Sequence, residues 1–147
     1  MNIDGRTIAK AGLVGALVAV AANLVIYLVG RVSGVEFGLT PGGFAAEVGP
    51  DQVIIASVVT FAIGTALAVL VGRKGPRPLR VLQILGALAA VVTAGGPLSM
   101  AVGTSSKVLL LLMHLVAGTV YVLALERVRR GKSPIDHAER VRGGSAS

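Results

Sequence analysis

The stretch LLLLMHLVAGTV, Leu109 to Val120, sets one imidazole, His114, in an otherwise apolar run. A neutral imidazole carries one donor and one acceptor. In hydrocarbon it either ties neighbouring helices together or holds a proton or a small polar ligand. Other polar groups fall at matching depth. Asn23 lies eight residues before Arg31, Ser57 and Thr60 six and nine after Asp51, and His114 seven after Lys107. At 1.5 Å per residue all of them sit about 9 to 14 Å below one set of helix ends. Thr93 joins this polar layer through its carbonyl, because Pro97, four residues on, has no N–H to offer it and should kink the helix there. The expected contacts are an N–H from Asn23 to His114 and a donation from His114 to the freed Thr93 carbonyl. Gly118, one turn past His114, leaves room for a neighbouring backbone.

The same inventory excludes much chemistry. The chain has no cysteine, and its apolar stretches hold no carboxylate and a single histidine. Thiol chemistry, a carboxylate pair and a multi-histidine metal site within one chain are therefore excluded. Ser99 with His114 would resemble an activated nucleophile, but no G-x-S-x-G frames Ser99, and serine within a helix usually bonds backbone. Gly103 to Lys107 lacks the glycine spacing of a phosphate loop, and Glu36, Glu47 and Asp51 match no metal motif. No catalytic residue, metal or cofactor is expected.

The elements that must position these residues are membrane spans. Hydrophobic residues make up 54% of the 147 and charged residues 14%, with a mean hydropathy of +0.81. Four stretches, Ala11 to Gly30, Val53 to Gly72, Val81 to Val102 and Val108 to Leu125, contain no Asp, Glu, Lys or Arg. Each has about the length a helix needs to cross hydrocarbon. The expectation is an all-α integral membrane four-helix bundle in one domain, with spans near 9–30, 53–72, 80–102 and 107–126 and a basic tail over 127–147. Arg6 and Lys10 followed by Ala19-Val20-Ala21 also resemble a signal peptide, but the apolar run continues through Val29, which favours a span.

Charge orients the bundle. Twelve of the fourteen basic residues fall at the N-terminus, between spans two and three, or in the tail. The positive-inside rule makes that side cytoplasmic, with both termini there. Arg73, Lys74, Arg127, Arg129, Arg130 and Lys132 are expected to meet anionic lipid headgroups. The formal charge of +7 does not point to nucleic acid, because the basic link GRKGPRPLR carries no interleaved aromatic residue.

Arg31 to Gln52 is the one long connection, expected as a lid with a short turn of helix starting at Thr40-Pro41 and with Phe37 and Phe44 at the interface. A second short helix is expected from Ser133 to about Arg142, followed by a disordered GGSAS end. Small residues recur at every fourth position in span two, at Ala56, Thr60, Gly64, Ala68 and Gly72, as a seam for close helix approach within or between chains.

The segments GGPLSMAV and LLLMHLVAG, with Asn23 in the first span and the basic link between spans two and three, resemble a family of small four-span actinobacterial membrane proteins carrying a domain of unknown function. The resemblance covers Ala9 to Leu125. It implies a multi-pass protein of the bacterial cytoplasmic membrane and brings no activity, cofactor or catalytic residue. Two functions remain open. One is a structural or accessory protein in lipid, with a second copy or another membrane protein as partner. The other is a binding or transport protein whose polar layer around His114 faces outward.

Overall fold

The computed structural model describes residues 4–72 and 74–131. Its helices are α1 (Gly5–Val32), α2 (Pro50–Gly72), α3 (Pro76–Thr93), α4 (Gly95–Met100) and α5 (Thr104–Arg129). Because α3 and α4 form one interrupted segment, four helical segments are long and apolar enough to cross a membrane. The helix expected from Ser133 and the GGSAS end lie outside the described residues.

Local chemistry sets the helix ends. The Asp4 carboxylate accepts the Arg6 N–H at 3.2 Å and caps α1. Prolines open α2 and α3, where a missing N–H leaves no helical acceptor unserved. Gly75, just before Pro76, turns the chain with φ at +113°, a value that side chains with a Cβ rarely adopt. Pro97 interrupts the third segment as its missing donor requires: α3 stops at Thr93 and α4 resumes at Gly95.

α1 packs against α2 and α5, and α3 packs chiefly on α5 and less on α2, so the helices form a ring. Between apolar helices in lipid there is no hydrophobic drive to associate, and contact depends on how closely the surfaces can approach. Small residues supply that approach. A Cβ at Gly118 would meet the Ala90 methyl at 2.6 Å. The Tyr121 ring of α5 lies across Gly64 of α2 and Gly86 of α3, where added Cβ atoms would come within 2.7 and 2.6 Å of it. Its hydroxyl donates to the Gly64 carbonyl at 2.9 Å, and its edge meets Phe61 with ring centres 5.9 Å apart. The span-two seam is used inside the bundle over Gly64, Ala68 and Gly72, whereas Ala56 and Thr60 are exposed. α3 and α4 make the least embedded segment, α3 burying only Leu79 and Gln83 and α4 no residue.

The long connection forms a small hairpin. Gly38–Leu39 (β1) pairs antiparallel with Ala46–Glu47 (β2), Gly38 opposite Glu47 and Leu39 opposite Ala46. A short 3-10 turn over Pro41–Gly43 joins the two strands. The hairpin is stitched to the α4–α5 link, since Thr40 N–H donates to the Met100 carbonyl and Val102 N–H to that of Gly38, both at 2.9 Å. Phe37 does not rest at the interface as its sequence position suggests. It is fully buried and stacked on Tyr27 at 4.9 Å, in a space that a Cβ on Gly30 would close. Phe44 is 80% exposed.

Phe37 is therefore a plug in the hairpin end of the bundle. Phe37→Ala should lower stability by about 3 kcal/mol, as truncating a buried aromatic does. Val32→Ala, at a position 89% exposed, should stay within about 0.5 kcal/mol. Thermal unfolding in a mild detergent compares them, and equal losses would show that Phe37 does not seal the bundle.

Candidate functional site

Of the residues expected in the polar layer, Asn23 and Ser57 are bonded between helices. Asn23, 4% exposed on the buried stripe of α1, donates from Nδ2 to the Ser57 hydroxyl of α2 at 3.1 Å. Its Oδ1 is buried without a partner among the described residues. His114 is half-buried on α5, and its Nδ1 lies 2.8 Å from the Leu110 carbonyl one turn back. A carbonyl only accepts, so Nδ1 carries the proton, and in the neutral ring Nε2 is left as the acceptor. Thr93 is exposed and donates its hydroxyl to the Ala89 carbonyl at 2.7 Å. Pro97 is half-buried and Thr60 exposed.

Two expected contacts are thereby corrected. His114 bonds its own helix rather than the Thr93 carbonyl, and the Asn23 amide goes to Ser57 rather than to His114. For His114 the cause is local competition, since a polar side chain within a helix finds the carbonyl four residues back already in reach. Ser99 obeys the same rule, donating to the Gly95 and Gly96 carbonyls at 3.1 and 2.9 Å.

Toward the hairpin end lies an apolar cluster. Tyr27, Phe37, Val53, Leu110 and Met113 belong to a single buried cluster that includes the plug. Beyond it, at the hairpin end, opens a cavity of about 450 Å³ lined by Arg31, Gly34, Val35, Glu36, Gly38 and Glu47. His114 is not part of that lining. Arg31 is ion-paired with Glu47 across the cavity mouth, tying the end of α1 to β2. Among the described residues no three acidic or histidine side chains gather to hold a metal.

At the opposite, basic end the structure shows a cluster that a search for charges within the spans passes over. Gln83 of α3 is buried and reaches α5, donating from Nε2 to the Val122 carbonyl at 3.0 Å and to Glu126 Oε2 at 3.2 Å. Arg129 donates to Gln83 Oε1 at 3.0 Å and pairs with the same Glu126 oxygen. Arg130 bonds the other Glu126 oxygen at 2.7 Å. Arg129, expected to face lipid headgroups, is bonded to Gln83 and Glu126 and keeps its side chain 24% exposed. Lys74 and Arg127 are exposed at this end, and Arg73 and Lys132 lie outside the described residues. The signals in the sequence were a lone amide in an apolar helix and an acid three and four residues before two arginines.

A family model described as a family of unknown function (DUF6069) matches residues 3–131. No curated protein and no solved structure matches the chain.

The geometry makes the couplings specific. In a double-mutant cycle, Asn23→Leu and Ser57→Ala should show a coupling of about 0.6 to 1.7 kcal/mol, while Asn23→Leu and His114→Leu should be additive. Coupling only to His114 would contradict the observed pairing. In neutral detergent Arg129→Ala should lower the thermal midpoint and Arg127→Ala should leave it in place; the reverse order would return Arg129 to the lipid headgroups.

Proposed function

We propose that this chain, which belongs to that family of unknown function, is a structural or accessory protein of a bacterial cytoplasmic membrane, crossing it four times with both termini in the cytoplasm. The observation that carries the reading is the buried apolar cluster around Phe37 and Tyr27 at the hairpin end, together with a cavity there whose lining does not include His114. A transport pathway needs a continuous opening, and a strut does not. Asn23 then ties α1 to α2, Gln83 ties α3 to α5, and the chain offers lipid and neighbouring proteins a rigid, mostly apolar surface. A second copy or another membrane protein is the partner class this surface suits.

The orientation rests on the basic residues gathered at the end where α1 begins and α5 finishes. Lys74, Arg127 and Arg130 are exposed cations there and would meet anionic lipid, as Arg73 and Lys132 would by their place in the sequence, each contributing about 1 kcal/mol. A second reading has one observation in its favour. The unpartnered buried Oδ1 of Asn23 is an acceptor that a proton carrier or small polar ligand could satisfy.

Two experiments separate these readings. Single cysteines at Ser33, Lys74 and Ser105, all exposed positions, should react with an impermeant reagent in intact cells only at 33 and 105, and labelling at 74 would invert the orientation. In reconstituted vesicles, an acid pulse should be dissipated equally by the native protein and by His114→Leu. A flux that depends on His114 would instead establish the proton or ligand reading.

A further inference from the structure

The hairpin between α1 and α2 carries its charges at its base. Arg31, Glu36, Glu47 and Asp51 flank it, while the ten residues from Phe37 to Ala46 hold no charge at all. A loop ending in water ordinarily has a polar tip. This tip presents Pro41, two glycines and Phe44, whose ring is 80% exposed.

The backbone of the tip is also prepared for a place with little water. Thr40 N–H donates to the Met100 carbonyl at 2.9 Å, and its hydroxyl reaches the same oxygen at 3.3 Å. Pro41 has no N–H. Gly43 and Phe44 close the turn onto the carbonyls of Thr40 and Pro41 at 3.4 and 3.1 Å. From Thr40 to Phe44, only Gly42 keeps a backbone donor without a protein acceptor among the described residues. Leaving such donors unserved away from water costs several kcal/mol each, so a turn that serves them itself can enter a membrane interface.

Its position matches. The bonds to Met100 and the bridge from Leu39 to Ala101 set the tip beside the end of α4 and the link that follows it, where Leu98, Met100 and Val102 are about half exposed. Phe44 thus extends the lipid-facing surface of the least embedded helical segment.

We infer that the hairpin tip, centred on Phe44, is inserted into the interfacial zone of the leaflet at that end of the bundle, with phospholipid glycerol and upper acyl chains as its partner. A protein partner would need features to recognise, and the tip offers glycine, alanine and proline, with its one hydroxyl already bonded to Met100. An aromatic ring at headgroup depth is a usual membrane anchor. The inference does not depend on which face of the membrane is outside, nor on the structural or transport reading.

The chain has no tryptophan, so Phe44→Trp gives a single-tryptophan protein with the substitution at an exposed site. In vesicles of phosphatidylcholine and phosphatidylglycerol, lipids brominated high on the acyl chain should quench most of its emission, and acrylamide in the water should quench little of it. Glu36→Trp, at the charged hairpin base, should show the opposite pattern. The inference is overturned if Phe44→Trp is open to acrylamide and blind to brominated lipid, which would place the tip in water. It is equally overturned if the emission is shielded from both quenchers and changes with protein density, which would make a second copy the occupant.

Discussion

Four apolar helices in a lipid solvent gain nothing from hiding their leucines, so the bundle depends on the few places where a large side chain fits a gap that only glycine leaves. Tyr121 is the central case. Its ring occupies the space left by Gly64 on one side and Gly86 on the other, while its hydroxyl bonds a backbone carbonyl of α2. One residue of α5 thereby sets the distance to two neighbouring helices. Gly30 plays the same part for Phe37 at the hairpin end. Contacts of this kind act through van der Waals fit, whose strength falls steeply with a gap of half an ångström.

The polar residues take their places within that frame. Asn23 and Ser57 join α1 to α2 in the hairpin-side half, and Gln83 with Glu126 and Arg129 joins α3 to α5 at the basic end. These ties sit on the ring formed by α2, α1, α5 and α3, and Tyr121 crosses from α5 to both α2 and α3. His114 stands apart, bonded within its own helix. The most conspicuous residue of the sequence is thus less connected than the quiet amide at Gln83.

What could be read from the sequence follows from what the bilayer enforces. A charge-free run of some twenty residues has few other uses, so the four spans were legible. The missing N–H of Pro97 foretold the interruption at Ala94 as well. Rotation about each helix axis was not legible. In a soluble protein the polar face marks the outside, but here leucine faces both lipid and core, so nothing in α2 or α5 told which way Thr60 or His114 would turn. Phe37 was misplaced for a related reason: an aromatic in a connecting loop suits an interface and a plug equally, and only the gap at Gly30 distinguishes them. Gln83 escaped because a search for charges does not see an amide.

The central claim is that ring and glycine gap form one unit, and a size exchange tests it. Gly86→Leu should destabilise the bundle strongly in detergent, since its side chain would enter the Tyr121 ring. Gly86→Leu combined with Tyr121→Ala should be more stable than the two separate losses predict, by at least about 1 kcal/mol, because the leucine then fills the vacated space. If the two losses simply add, the ring and the glycine do not share that space, and the account of how these helices hold together is wrong.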